Sequence, residues 1–218
     1  MYPTKQEIYA AYQVIDKLYK IGFGEIARNE RSFWQWHQSN YAMLEKFKIT
    51  CSHGATKAVF MSENIGRWVL KVNHDFTFDY CNQEFMTYLK ARETNLGEYF
   101  AAIYRLPAYN GIHWYLQEKV ESDEAVISSA IVDAVADDLS DDYLDEDGEL
   151  DTDYLLENLD YDEKLDALFG DAGADLYQFM SEQCDSVHAS LDLHEGNIGW
   201  RNKFEYVLFD YSGFGACA

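Results

Sequence analysis

The stretch His188-Ala189-Ser190-Leu191-Asp192-Leu193-His194-Glu195-Gly196-Asn197-Ile198-Gly199-Trp200 carries the reading of the whole chain. A short turn, Arg201-Asn202-Lys203, follows it. Then comes an apolar run, Tyr206-Val207-Leu208-Phe209, that stops on Asp210. Three oxygen-bearing side chains stand out. Asp192 and Asn197, five positions apart, fit the two ends of one tight loop, and Asp210 lies where a strand ends. An Asp and an Asn facing each other across a hairpin can hold a hard divalent cation through oxygen ligands. A further Asp nearby can take a proton from an attacking hydroxyl. Taken singly, each residue also has a plainer reading, as the cap of a turn or the end of an edge strand.

The combination resembles the catalytic core of the protein-kinase superfamily. That family has an Asp followed five residues later by an Asn, and a second Asp after a β-hairpin. Here Asn197 to Asp210 is thirteen residues. The wording Asp192-Leu193-His194-Glu195-Gly196-Asn197 is closer to aminoglycoside phosphotransferases and small bacteriophage or bacterial protein kinases than to eukaryotic kinases. The resemblance implies Asp192 as catalytic base and Asn197 and Asp210 as Mg²⁺ ligands. For His194 it leaves two roles, touching the γ-phosphate or fixing the loop, and the loop role is favoured.

Upstream residues extend the resemblance. Lys48–Cys51, Ala58–Met61 and Trp68–Val72 are short strand candidates, and the last carries Lys71 inside an apolar run. A lysine there is expensive unless it is paired or bound to an anion; the alternative is a snorkelling edge-strand lysine. By resemblance, the turn around Gly54 would lie over the nucleotide phosphates and Lys71 would touch them. Only one glycine stands where the full motif has three. A helix is predicted over 78–91. Its Glu84, thirteen residues after Lys71, matches the helix glutamate that orients the nucleotide lysine. A solvated-face role is the alternative, and Glu93 and Glu98 are competitors. Two strands, Tyr99–Ala108 and Ile112–Val120, are predicted around the hairpin signal Asn110-Gly111. Glu118 and Val120 then fall at the place of a kinase hinge, where backbone groups hold adenine.

The N-terminal 47 residues read as helical. Thr4 and Glu7 form a capping-box pattern, and Ile8, Tyr12, Ile15 and Leu18 follow at helical steps. Gly22 and Gly24 break the first helix. A second carries Phe33, Trp34, Trp36, Tyr41 and Leu44, read as packing core in preference to a binding groove. A further amphipathic helix is predicted over 174–189, leading into the loop of Asp192.

The chain has 218 residues, 48% of them hydrophobic, and a net charge of −22. That charge argues against direct nucleic-acid binding through phosphates. It is concentrated in residues 121–166, which hold 19 Asp and Glu and a single Lys, Lys164. The acidic insert, about 122–171, reads as a solvated surface carrying short helices, or as a site that captures a basic protein partner. Its run 137–148 looks like a calcium loop but lacks the required register. No apolar run is long enough to span a bilayer, and no signal peptide is expected. Four scattered cysteines read as reduced thiols, which places the chain in the cytoplasm with no membrane partner.

The sequence thus predicts an α+β chain, an abbreviated two-lobed kinase-like fold with an N-terminal helical extension. The expected divisions are 1–47 for the extension, 48–121 for the small lobe and 122–218 for a large lobe with the acidic insert. The resemblance implies an ATP- and Mg²⁺-dependent phosphotransferase acting on a hydroxyl acceptor. The first expectation is a compact protein kinase, and small-molecule phosphorylation is the second. A non-catalytic binder using the acidic insert is the third. The stretch 211–218 leaves no room for an activation segment, so the usual peptide platform is not expected, and Leu191 stands where a phosphate-clamping arginine would precede the catalytic Asp.

Overall fold

The computed structural model describes residues 1–26, 29–53, 56–74, 79–136, 143–144, 150–187, 194–202 and 205–210. They form seven α-helices and seven strands of mixed α and β structure. The chain divides into two compact units. One comprises Met1–Glu93 and Ala101–Lys119; the other comprises Thr94–Phe100 and Val120–Ala218. No helix among the described residues is long and apolar enough to cross a membrane.

The first unit is built on a five-stranded antiparallel sheet. Its strands are β1 (Thr50–His53), β2 (Lys57–Met61), β3 (Trp68–Asn73), β4 (Ile103–Arg105) and β5 (Tyr115–Glu118). Their spatial order is β1-β2-β3-β5-β4. Every residue of β3 is buried, as expected of a central strand covered on both faces. The register pairs Phe60 with Leu70 and Leu70 with Leu116 on one face. On the other face it pairs Val59 with Lys71 and Lys71 with Tyr115.

Two N-terminal helices, α1 (Lys5–Lys20) and α2 (Glu30–Lys46), cover the Phe60 face. The capping box read from Thr4 and Glu7 is present, with both reciprocal hydrogen bonds. Phe23, in the connection between these helices, anchors the packing. Its ring centroid lies 5.1 Å from Trp36, 5.2 Å from Trp114 and 5.7 Å from Phe60. The aromatic density of α2 is therefore core in part: Phe33 and Trp36 are buried, whereas Trp34 and Tyr41 stay exposed.

A third helix, α3 (Tyr80–Glu93), lies on the Lys71 face. The helix predicted over 78–91 thus begins and ends two residues later. The predicted strands at 99–108 and 112–120 are much shorter in the structure, because the intervening chain makes its own contacts. Tyr109 and Ile112 form an isolated bridge around Asn110 and Gly111, both at positive φ. Such a tight turn needs left-handed backbone at both central positions, which the Asn-Gly pair supplies. Phe100, within the second unit, bridges to Leu208 and packs edge-on to Phe179.

The second unit is helical around one hairpin. Its helices are α4 (Glu124–Val135), α5 (Thr152–Asn158), α6 (Tyr161–Phe169) and α7 (Gly173–Val187), and its hairpin pairs β6 (Ile198–Arg201) with β7 (Glu205–Leu208). The acidic stretch supplies α4, α5 and α6. The described part of it is more ordered than a solvated surface, since Ile127, Ile131, Leu155, Leu165 and Leu168 are all buried. Asp123, Asp151 and Asp160 cap the three helices. Part of the negative charge therefore sits where a helix N-terminus favours it. The calcium-loop look-alike at 137–148 lies mostly outside the described residues.

Candidate functional site

Each unit holds one group of the predicted site residues. In the first unit the buried lysine of β3 meets the helix carboxylate: Lys71 Nζ lies 2.8 Å from Glu84 Oε2. A second lysine, which the sequence reading did not single out, takes the other oxygen. Lys57 Nζ lies 2.6 Å from Glu84 Oε1. Glu84 is 1% exposed, Lys71 2% and Lys57 7%, so all three charges are withdrawn from water. A buried ion pair is held together strongly and is damaging to break, because removing one partner strands the other charge. Glu93 and Glu98, the alternatives considered for this pairing, are exposed.

The direction of Glu84 is set by the start of α3. Asp79 accepts from the backbone amide of Asn82 at 3.0 Å and from the Asn73 side chain at 3.0 Å. The Asn73 side-chain oxygen Oδ1 in turn accepts from the backbone amide of Cys81 at 3.1 Å. The last residue of β3 is thus stitched to the first turn of α3, and Glu84 follows one turn later on the face toward Lys71. Asn73 and Asp79 are positioning residues that sequence reasoning missed. The available signal was Asp79 as a helix-capping type just before an apolar-periodic run. Tyr115, the register partner of Lys71, approaches Asp79 with its hydroxyl at 3.4 Å. Burial first, and the nearby Asp79 charge second, push its phenol well above the ordinary tyrosine range, so it stays neutral. Cys81 is also buried beside the cluster, and its thiol is pushed up strongly by burial and then by Glu84.

Gly54, predicted over the phosphates, and Asp192, the predicted base, lie outside the described residues. Glu118 is buried, and both its amide and its carboxylate serve the sheet. Its N–H donates to the Ala102 carbonyl at 2.7 Å, and its Oε2 accepts from the Ala102 amide at 3.0 Å. A cavity of about 670 Å³ in this unit is lined by Lys48, Thr50, Ser62, Trp68 and Lys119 among others, and contains none of the predicted site residues.

In the second unit the loop residues converge on the hairpin. His194 Nδ1 accepts from the Gly196 amide at 3.1 Å, and the His194 carbonyl accepts from the Asn197 amide at 2.9 Å. These bonds close a 3₁₀ turn, Glu195–Asn197, that delivers Asn197 to the start of β6. Asn197 is 7% exposed. The Phe209 amide donates to the Asn197 carbonyl at 3.1 Å, one step beyond the Ile198–Leu208 register pair. Asn197 and Asp210 therefore flank the same end of the hairpin, and Asp210 is half-buried. Lys164, the one lysine of the acidic stretch, lies 3.1 Å from Glu195 and ties α6 to the loop.

Val120 is half-buried and next to Glu121, which pairs with Trp200 through two backbone bonds of 2.8 and 3.2 Å. Gly199 makes that pairing possible. A Cβ there would come within 2.6 Å of the Glu121 carbonyl oxygen and 2.7 Å of Val120 Cγ2.

Among the described residues no group of three or more His, Cys, Asp or Glu side chains is placed to share a metal ion. An amide oxygen from Asn197 and a carboxylate from Asp210 are nonetheless hard donors of the kind Mg²⁺ takes. Mg²⁺ is commonly held by one or two protein ligands together with substrate phosphates and water. The donor chemistry therefore fits that ion. Neither the protein-family models nor the curated proteins compared with this sequence give a match.

Proposed function

We propose that this chain is an ATP- and Mg²⁺-dependent phosphotransferase with an abbreviated two-lobed kinase-like fold, acting as a compact protein kinase. The observation that carries the reading is the buried ion pair of Lys71 and Glu84. A lysine in the middle of the third strand, held by a glutamate from the helix that follows, is the pairing that kinases use to direct a nucleotide-binding cation. The sheet order β1-β2-β3-β5-β4, with α3 inserted after β3, supports it. So does the arrangement of Asn197 and Asp210 at one end of a hairpin.

In this reading Lys71 meets the α- and β-phosphates already oriented by Glu84, so little reorganisation accompanies binding. Asn197 and Asp210 would hold Mg²⁺, which when bound would supply positive charge beside the phosphoryl group being transferred. Asp192 orients the acceptor hydroxyl and accepts its proton as the bond to phosphorus forms. The Glu118 carbonyl and the Val120 backbone are assigned to the adenine, the Glu118 amide being engaged by Ala102, and Gly54 is assigned to the phosphates.

The test is phosphate transfer from γ-labelled ATP with Mg²⁺, comparing the purified chain with Asp192→Ala. Label on protein substrates that disappears in the variant supports a protein kinase. Label only on a small hydroxyl compound moves the acceptor to that class. No transfer at all, with the biological effect of the chain unchanged in Asp192→Ala, favours a non-catalytic binder.

A further inference from the structure

We propose that Lys57 is a second phosphate-facing lysine, so that Lys57 and Lys71 form one anion-binding pair clamped by the two oxygens of Glu84. The inference rests on the nucleotide reading of Lys71 and deepens it. The ligand class it defines is a chain of adjacent phosphoryl groups, a nucleoside di- or triphosphate rather than a nucleoside or monophosphate.

The register carries the argument. Val59 faces Lys71 and Lys57 faces Asn73, so Lys57 and Lys71 share a sheet face as diagonal neighbours on adjacent strands. Diagonal neighbours stand about 7–8 Å apart, within reach of long side chains. Both ammonium groups reach the same carboxylate, at 2.6 and 2.8 Å, from opposite oxygens. Glu84 therefore fixes the direction of two cations at once. Lys57 is also the first residue of β2, three positions after Gly54, the residue that the nucleotide reading assigns to the phosphates. A lysine is a point charge with three donors, suited to phosphate oxygens without demanding a planar partner. Two such charges at a fixed spacing match successive phosphoryl groups.

The experiment measures Mg²⁺–ATP and adenosine affinity by calorimetry for the full chain, Lys57→Met, Lys57→Arg, Lys71→Met and the double Met variant. Urea unfolding verifies that each is folded. Lys57→Met is expected to weaken ATP about tenfold or more, equivalent to about 1.4 kcal/mol or more, while adenosine affinity stays unchanged. Lys57→Arg should restore ATP binding to within a few-fold. The double variant should bind ATP more weakly than either single one.

If Lys57→Met binds ATP as the unaltered chain does, or loses ATP and adenosine alike, Lys57 is structural and the inference fails while the nucleotide reading stands. If the unaltered chain binds no ATP, the nucleotide reading itself fails. Should Lys57→Met not fold, the side-chain nitrogen resonances of ¹⁵N-lysine-labelled unaltered protein decide, on titration with inorganic tripolyphosphate. Shifts at both Lys57 and Lys71 uphold the pair; a shift at Lys71 alone overturns it.

Discussion

The amide of Phe209 donates to the carbonyl of Asn197 at 3.1 Å, which closes the β6–β7 hairpin one residue before Asp210. An amide oxygen and a carboxylate are thereby brought to one end of the same two-stranded element.

The first prediction follows from that pairing. Mg²⁺–ATP at a hundred times its dissociation constant should stabilise the chain by about 2.7 kcal/mol, the amount that mass action dictates. Asp210→Ala should abolish the Mg²⁺-dependent part of the thermal shift and leave any metal-free nucleotide shift in place. An equal Mg²⁺-dependent shift in both proteins would remove Asp210 from the metal site.

Glu84→Gln should be among the most damaging single changes in the first unit. It removes the charge that Lys57 and Lys71 share inside a buried site, and such a loss costs about 3–5 kcal/mol. Urea unfolding measures it. A cost below about 1 kcal/mol, the range of exposed pairs, would mean that water reaches the cluster.

Acid sensitivity should arise at the α2–β1 contact. The His37 and His53 rings lie 5.7 Å apart, and His37 also packs near Phe33, Trp34 and Tyr41. His53 is flanked in turn by His74 at 6.4 Å. Burial first, and the neighbouring His53 second, lower the His37 pKa from 6.5. The unfolded chain therefore takes up the proton before the folded one, and stability falls as pH drops below about 6.5. Above that pH the contribution is fully present. Unfolding free energies at pH 7.5 and 5.5 should differ less in His37→Gln than in the unaltered chain; an identical difference in both would exclude His37 as a source.

Phe23→Ala should detach the N-terminal helices from the sheet. The ring is 3% exposed and sits among Phe33, Trp36, Phe60 and Trp114. Truncating a buried phenylalanine costs about 3–5 kcal/mol, and tryptophan fluorescence during denaturation reports the loss directly through Trp36 and Trp114.

Much of this arrangement was legible in the sequence. Lys71 stood out because a cation inside Trp68–Val72 demands a partner, and the kinase resemblance pointed to Glu84 as that partner. Lys57 did not, because a lysine beside a turn ordinarily points into water, and nothing in one sequence says that two strands will share a carboxylate. In the acidic stretch the short helices expected from its interleaved leucines are present, and Leu155, Leu165 and Leu168 are buried in α5 and α6 despite the surrounding charge. Strand length near 99–108 was overestimated because apolar composition alone cannot separate a strand from chain that packs elsewhere, as Phe100 does.

Cys81 sits one helical turn before Glu84 with its sulfur enclosed and its proton retained. Acrylamide-type warheads need an exposed thiolate, so they gain no foothold beside the clamp. A covalent probe of this chain has to be aimed at another nucleophile, or built as a reversible binder.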